Sequence, residues 1–307
     1  MMTRLNSRQP SARTPGDVFD LPHFKSMIQR TLRYVSAGYP VHYTGPAGIG
    51  KTTLALHTAE KRGRPVTVIT GSRDLTREDL IGAYSGYSRK KLHDNFVRTV
   101  HKIEENVSEN WVEGHLYKAV KEGHTLVYDE FTRSSPYTNN LFLSILEEKV
   151  MPLYGAKRNE SHIRVHPEFR MLLTSNPSEY AGVYETQDAL FDRLITIPLE
   201  RMDVETETAV VMKRTGMKKA GAGKIVSLVK RVNEQLEGNG SPLSIRTSIM
   251  MADIAQQHAI PIEGSHPAFQ HLCLDFMMFP LQLQDGGPSN NAEALILNEC
   301  RNIKEGS

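Results

Sequence analysis

The chain has 307 residues, of which 39% are hydrophobic and 23% charged, and this composition fits a soluble globular protein of about two domains. Its formal net charge of +2 is too small to indicate a polyanion-binding surface, and no apolar run approaches the roughly 18 residues that a membrane span needs. The two cysteines, Cys273 and Cys300, lack metal-ligand spacing and are expected to be reduced thiols in a cytoplasmic protein.

The first 20 residues are rich in Ser, Arg and Pro and lack the apolar core of a secretory signal, so residues 1–20 are interpreted as a flexible segment. After them, short β-rich runs alternate with helical patterns, which predicts a parallel sheet with crossover helices. The expected strands are YPVHYTG, RPVTVITG, GHTLVYDEF, FRMLLTSNP and RLITIPLE. Between the third and fourth, NNLFLSILEEKV predicts an amphipathic helix with Leu141, Ile145 and Leu146 on one face.

Two regions depart from this alternation. Residues 82–114 are longer than a crossover needs and contain the helical pattern KLHDNFVRTVHKIEEN, so they are interpreted as an insertion. After Asp203 the strand patterns stop, and successive helical patterns end at Gly or Pro. The sequence therefore predicts an α/β domain over 21–202, a small helical domain over 203–285 and a Gly-, Ser- and Asn-rich tail over 286–307.

The segment TGPAGIGKTT has the spacing of a phosphate-binding loop and lies between a predicted strand and a predicted helix. Its backbone N–H groups are expected to hold phosphates at the positive end of that helix, with glycines that allow close approach. Lys51 is expected to reach the β- and γ-phosphates, and the Thr52 hydroxyl to bind Mg²⁺. The residues predicted to bind ATP are Gly45, Pro46, Ala47, Gly48, Ile49, Gly50, Lys51, Thr52 and Thr53.

An apolar strand, TLVY, is followed directly by Asp129 and Glu130. In P-loop enzymes an acid at this place holds Mg²⁺ through water, and a following Glu polarises the attacking water. Adjacent acids also end many ordinary strands. Combined with the phosphate-binding loop, however, Glu130 favours hydrolysis over phosphoryl transfer to a small molecule.

Three further polar residues fit the same site. Asn176, at the end of the fourth strand, is expected to orient the water and contact the γ-phosphate, although Asn-Pro also makes a turn. Arg193 is either a helix-end cation or salt-bridge partner within its own chain, or an arginine finger in a neighbour's site, which is worth ~10³–10⁵ in rate. Arg246, at the start of a helix in the second domain, is expected to reach the γ-phosphate of its own subunit.

In this order, these residues resemble the AAA+ ATPases over about Val41 to Met251. The resemblance implies a P-loop NTPase fold, with a five-stranded parallel sheet, helices on both faces and a helical lid, in a homo-oligomeric ring that is hexameric by family analogy. The segment WVEGHLYKAVKEGHTLVYDEFTRSSP is similar to the MoxR group. That likeness implies that Tyr84, Tyr87 and the residues to Asn95 occupy an insertion that faces the ring's pore or its partners.

Longer segments, YDEFTRSSPYTNNLFLSILEEKV and VHPEFRMLLTSNPSEYAGVYETQDALFDRLITI among them, resemble the gas vesicle protein N family. This implies a cytoplasmic, Mg²⁺-dependent ATPase, associated with gas vesicles, that acts during their assembly on shell or accessory proteins and not on a membrane. The alternative is a MoxR-type ATPase that activates a metabolic enzyme such as Rubisco or nitric oxide reductase.

A nucleic-acid-dependent ATPase is a further alternative, which rests on the basic stretch SRKKLHDNFVRTVHK. Such a stretch is also typical of a solvated helix face. Because the net charge is near neutral and aromatic residues do not alternate with basic ones, the sequence does not favour nucleic acid as a partner.

Overall fold

The computed structural model describes residues 18–92, 104–153, 161–176, 188–235, 243–285 and 290–303. Contacts divide the chain into two compact units. The sheet unit comprises residues 31–44 and 58–197, and the helical unit comprises residues 1–30, 45–57 and 198–307.

The first half of the chain contains most of the strands. Its elements are α1 (Pro22–Ser36), β1 (Val41–Thr44), α2 (Lys51–Lys61), β2 (Val66–Thr70), α3 (Arg77–Ile81), β3 (Gly82–Leu92), β4 (Glu104–Glu113), α4 (His115–Glu122), β5 (Thr125–Asp129), a 3₁₀ turn (Phe131–Arg133), α5 (Pro136–Asn139), α6 (Leu141–Glu147) and β6 (Val150–Pro152).

The second half is mainly helical. Its elements are β7 (His162–Arg164), β8 (Arg170–Ser175), α7 (Asp188–Phe191), β9 (Ile195–Pro198), α8 (Val204–Thr215), α9 (Lys219–Glu234), α10 (Ile245–Gln257), α11 (Pro267–Asp285) and α12 (Asn290–Arg301).

The central sheet has five strands in the order β2-β5-β8-β1-β9. The pairs β2–β5, β5–β8 and β8–β1 are parallel, with registers such as Val127↔Leu172 and Val41↔Leu172. In β5 every residue before Asp129 is buried, as expected for a strand of a parallel sheet covered on both faces. The five predicted strands and their parallel arrangement are confirmed.

Helices α4 and α6 of the sheet unit each bury an apolar side. On α6, Leu141 and Ile145 are buried and Leu146 is half-buried, as the sequence predicts. They share one apolar cluster with residues of α4 and β5, among them Leu116 and Leu126. The cluster includes residues of β5 and β8. It therefore packs against the two strands at whose carboxyl ends the predicted catalytic residues lie.

The prediction of a helix over Lys91 to Asn106 is wrong at both of its described ends. Leu92 ends β3, Glu104 begins β4, and the two pair directly in an antiparallel hairpin. Strand pairing overrides a local helical period here, as tertiary context routinely overrides helix propensity. Residues 93–103, which include Asn95, lie outside the described residues, as do the side chains of Tyr84 and Tyr87.

The helical unit has its own apolar core, formed by α8 to α12. The segment that the sequence assigns to a tail contains α12, whose Ala292, Ile296 and Cys300 are buried in this core. Arg231 on α9 also pairs with Glu299 at 2.8 Å. These three buried residues of α12 recur every four positions, a helical period that the preceding Gly-Gly-Pro-Ser-Asn-Asn run obscures in the sequence.

The described end of the N-terminal segment also packs in the helical unit. Val18 and Phe19 are buried, and the Phe19 ring stacks on the His57 ring with centroids 4.2 Å apart. Residues 1–17 lie outside the described ones. Among the described helices, none has the length and apolarity to cross a bilayer.

Candidate functional site

The loop that follows β1 has the glycine conformations and close contacts that a phosphate-binding loop requires. Gly45 has φ +150° and Gly48 has φ +76°, a conformation that residues with a Cβ rarely adopt. A Cβ on Gly45 would lie 2.4 Å from the Leu199 carbonyl oxygen, and one on Gly48 would lie 2.4 Å from Ser244 Oγ. Glycine is therefore needed at both positions for conformation and for space.

Helix α2 begins at Lys51, directly after this loop, and the N–H of Leu54 already donates to the Gly50 carbonyl at 2.9 Å. The N–H groups before Leu54 lie in the first turn, where intrahelical acceptors are lacking, at the positive end of the helix dipole. The Lys51 ammonium folds over the loop and donates to the carbonyls of Gly45 (2.8 Å) and Pro46 (2.6 Å). The loop thus combines N–H donors and a cation, which suits a phosphate chain.

A cavity of about 220 Å³ lies beside the loop, within the helical unit. This volume is smaller than the roughly 300–1,000 Å³ of sites that enclose a whole drug-sized ligand, so it suits a single ring system. Ala47 and Ile49 of the loop form one wall. The other walls include Arg201, Met202, Val229, Lys230, Asn233 and Ile245. Sequence reasoning missed these residues, which are spread along the chain without a recognisable spacing.

Polar contacts fix the cavity walls. The Lys230 ammonium donates to the Met202 carbonyl at 2.5 Å and lies 3.8 Å from the Glu207 carboxylate. Burial raises the pKa of Glu207, while the charges of Lys230 and Arg201 oppose the shift. The side-chain amide of Asn233 both donates to and accepts from the backbone of Leu243, at 2.8 and 3.2 Å.

Arg246 lies in the first turn of α10, where it is exposed. Its backbone N–H donates to the side chain of Ser244, the N-cap of that helix, at 3.2 Å. Because Ser244 also lies against Gly48, the start of α10 and the loop are in direct contact. The cap therefore ties the position of Arg246 to the loop.

Asp129 and Glu130 lie at the carboxyl end of β5, between β2 and β8. Glu130 has φ +51°, a left-handed conformation that is uncommon for a residue with a side chain. Its carboxylate accepts from Arg133 Nε at 3.0 Å. The Glu130 N–H donates to the Thr174 hydroxyl at 2.9 Å, and that hydroxyl donates to Asp129 Oδ1 at 2.5 Å.

Asn176 is buried directly after β8, at the same edge of the sheet as Asp129 and Glu130. Beside it, Ser175 is hydrogen-bonded at 2.8 Å to the buried His42 of β1, whose other ring nitrogen lies 3.1 Å from the Thr196 hydroxyl of β9. A polar row thus links three neighbouring strands next to Asn176. The residues after it, 177–187, lie outside the described ones.

Arg193 follows α7 and is held within its own chain. Its guanidinium donates to the Ala189 carbonyl and to the carboxylate of Glu147 on α6. The structure therefore contains the salt bridge that the sequence left open as one of two roles. A role in a neighbouring chain would require Arg193 to leave this partner.

Comparison with known proteins identifies the family. A model of the AAA domain of the dynein-related subfamily matches residues 40–194. Over 269 residues, the chain is 44% identical to the gas vesicle ATPase GvpN of Ancylobacter aquaticus, covering 87% of this chain and 75% of that protein. The chain belongs to the GvpN family of AAA ATPases. The family resemblance predicted from the sequence is confirmed.

Other relatives agree with this assignment. Gas vesicle ATPase GvpN2 of Halobacterium salinarum is 41% identical over 247 residues, which cover 78% of this chain and 71% of that protein. The protein CbbQ of Hydrogenophilus thermoluteolus is similar at 22% identity, over 75% of this chain and 79% of its own length. The GvpN relatives are thus about twice as similar as CbbQ.

The fold is also shared with a solved structure. The Thermotoga maritima RuvB Holliday junction branch migration motor matches with a TM-score of 0.50 and 13% identity, over 95% of this chain and 75% of that chain. At this identity the likeness shows the AAA+ P-loop fold and nothing about substrate. As a member of the AAA family, the chain is a nucleotide-binding ATPase.

Proposed function

We propose that this GvpN family member hydrolyses ATP in a Mg²⁺-dependent reaction and uses the cycle to remodel shell or accessory proteins during gas vesicle assembly. The observation that carries the proposal is the 44% identity to a gas vesicle ATPase over 87% of the chain. The local geometry of the loop and of the acid pair supports the chemical part. The proposed location is the cytoplasm, in association with gas vesicles.

The loop over Gly45–Thr53 is proposed to bind the phosphates of ATP, and the cavity beside Ile49 to take the adenine ring. Lys51 contributes the charge that the β- and γ-phosphates require, and the first turn of α2 contributes N–H donors. The cavity's volume of about 220 Å³ supports a single ring system.

Thr52 and Asp129 are the proposed Mg²⁺ ligands. Mg²⁺ keeps several waters and is usually bound through one or two carboxylates together with substrate phosphates. In the described part of the chain no group of three or more His, Cys, Asp or Glu gathers into a metal cage. Asp129 offers a single carboxylate, so the donor set fits Mg²⁺ held jointly with phosphates. The ion would neutralise the charge that develops on the phosphoryl group.

Glu130 is the proposed residue that polarises the attacking water, and Asn176 and Arg246 are proposed to contact the γ-phosphate. Glu130 follows the last residue of β5, so its backbone is anchored by the sheet while its side chain is half-buried. Asn176 is held by the end of the neighbouring strand β8. Arg246 lies in a separate helix and would report the presence of the γ-phosphate to the helical lid.

The active assembly is proposed to be a homo-oligomeric ring, hexameric by family analogy. In it, Arg193 would complete the site of a neighbouring chain. The sequence patterns support a proposed α/β domain over 21–202 and a lid that begins at 203. Because the core of the helical unit includes residues of α12, the proposed lid extends beyond 285. Within this scheme the hairpin β3–β4 is the insertion that faces the pore or a partner.

The test of the proposed function is deletion of the gene in the organism that carries it. Loss of buoyant vesicles is expected, with recovery by the wild-type gene but not by one that encodes Lys51→Ala. A Lys61→Ala gene serves as the control, because Lys61 lies exposed at the other end of α2. Normal vesicles in the deletion strain, or full recovery with Lys51→Ala, would contradict the proposal.

A second candidate is an ATPase that activates a metabolic enzyme such as Rubisco or nitric oxide reductase. It rests on the resemblance to MoxR-type ATPases, whereas the gas vesicle proposal rests on relatives that are 41–44% identical. A deletion strain that keeps its vesicles and loses the activity of one metabolic enzyme would favour this candidate.

A further inference from the structure

We propose that Thr174 is a positioning residue that sets both acids of the pair, Asp129 and Glu130, for hydrolysis. This inference rests on the proposed ATPase function. Thr174 is fully buried in β8. Its single hydroxyl accepts the N–H of Glu130 at 2.9 Å and donates to Asp129 Oδ1 at 2.5 Å.

The direction of these hydrogen bonds is fixed by the groups themselves. The Glu130 N–H is only a donor, so the Thr174 oxygen accepts from it. An ionised Asp129 carboxylate is only an acceptor, so the Thr174 proton points to it. One hydroxyl therefore fixes the backbone of one acid and the side-chain rotation of the other.

The position of Thr174 in the sheet explains why a side-chain hydroxyl, and not a backbone carbonyl of β8, accepts the Glu130 N–H. The paired register of β5 and β8 ends at Tyr128↔Leu173, one residue before Thr174. Glu130 then turns into a left-handed conformation with φ +51°. The hydroxyl of Thr174 accepts the Glu130 N–H where the regular pairing of the two strands has stopped.

The backbone of Asp129 and Glu130 is also held from the side of β2. Gly71, just after β2, donates its N–H to the Asp129 carbonyl at 2.7 Å. A Cβ on Gly71 would lie 2.2 Å from the Glu130 carbonyl oxygen. The backbone of the acids is thus fixed from the β2 side by Gly71 and from the β8 side by Thr174, and of these two only Thr174 also holds a carboxylate.

A buried threonine in the same unit shows what a purely structural role looks like. Thr138, on α5, is also buried, and its hydroxyl donates to the Leu75 carbonyl at 3.0 Å. Its other hydroxyl contact is with Ser135 at 3.0 Å, at the N-cap of its own helix. Thr138→Val is therefore a matched control for the loss of a buried hydroxyl in the sheet unit.

The test compares Thr174→Val, Thr174→Ala and Thr174→Ser with Thr138→Val in the full chain. Removal of the hydroxyl in Thr174→Val or Thr174→Ala is expected to lower kcat by about tenfold to a hundredfold, since a small misplacement of catalytic groups has effects of that size. The Mg²⁺ concentration at which fluorescent ATP binds half-maximally is expected to rise, while the ADP Kd without Mg²⁺ stays unchanged.

Thr174→Ser keeps the hydroxyl and loses only the methyl group, so it is expected to recover both kcat and the Mg²⁺ requirement. The comparison of Thr174→Ser with Thr174→Ala carries the test if the valine variant does not fold. Thr138→Val is expected to lower Tm without a change in kcat or in the Mg²⁺ requirement.

The assignment would be overturned by wild-type kcat and Mg²⁺ requirement in Thr174→Ala, or by a Thr174→Ser variant as defective as Thr174→Ala. Equal losses in Thr138→Val would reduce Thr174 to a structural role and also overturn it. The proposed function is tested separately with the wild-type chain and with Glu130→Gln. A wild-type chain that does not hydrolyse ATP contradicts the proposed function, and hydrolysis that persists in Glu130→Gln contradicts the role of Glu130. Hydrolysis that needs Glu130 but not the Thr174 hydroxyl contradicts only this inference.

Discussion

The guanidinium of Arg193 forms a salt bridge with the carboxylate of Glu147, within one chain. About half of the Glu147 side chain is exposed, and exposed ion pairs contribute about 0–1 kcal/mol. An arginine finger is worth ~10³–10⁵ in rate, or about 4–7 kcal/mol of transition-state stabilisation. In the proposed ring, the exchange of Glu147 for a neighbour's phosphate in the transition state would therefore be energetically favourable.

Arg193→Ala is predicted to fold and to bind ATP, because the lost ion pair contributes little, and to lose hydrolysis by about 10³-fold or more. Mixing it with Lys51→Ala chains should restore part of the activity, since each variant supplies what the other lacks in a shared site. Steady-state ATPase assays of the single and mixed proteins measure this. Arg164→Ala, at an exposed arginine of β7, is the control. A fully active monomer would contradict the prediction.

Lys51→Ala is predicted to abolish ATP binding, because the ammonium that lies over the loop supplies its positive charge. Titration with a fluorescent ATP analogue gives the Kd. Lys61→Ala, in the last turn of the same helix, should bind as the wild type does. An unchanged Kd for Lys51→Ala would show that the loop does not hold the phosphates.

The strands and the loop were predictable because their signals are local. Apolar runs such as TLVY and MLLTS mark buried strands, and the glycines and lysine of the loop recur at a fixed spacing. The hairpin β3–β4 was not predictable from helical periodicity, since it depends on pairing between residues such as Leu92 and Glu104. For the same reason no local pattern marks the Lys230 wall of the cavity, or Thr174, which is an ordinary residue within an apolar strand.

Helix α12 is predicted to be an integral part of the helical unit. Ile296→Ala should lower the free energy of unfolding by about 2–5 kcal/mol, because Ile296 is fully buried in that unit's core. Asn298→Ala, at an exposed position of the same helix, should change it by less than about 0.5 kcal/mol. Chemical denaturation measures both. Equal stability of the two variants would mean that α12 does not pack in this core.

Glu207 is predicted to make stability depend on pH. Burial raises its pKa above the ordinary value of 4.5, so the folded chain binds a proton that the unfolded chain has already released. Its contribution to stability is therefore lost as pH rises from about 4.5 through the raised pKa. Lys230 and Arg201 oppose the shift and Asp203 adds to it, but burial dominates.

The Glu207→Gln variant should lack this part of the decline in the free energy of unfolding. Denaturant titrations at several pH values between about 4.5 and 7 compare it with the wild type. Glu205→Gln is the control, because Glu205 lies two positions before Glu207 on the same helix α8 and is exposed. Parallel pH profiles for wild type and Glu207→Gln would show that the carboxyl group titrates as an exposed one does.

The most direct test of the account is ATP binding and hydrolysis by Glu130→Gln, measured on the same preparation. The amide keeps the size of the side chain but cannot polarise the attacking water as a carboxylate does. The account predicts that Glu130→Gln binds ATP with the wild-type Kd and that its hydrolysis rate falls to the background level. Hydrolysis at the wild-type rate would contradict the central claim that this acid pair performs the chemistry.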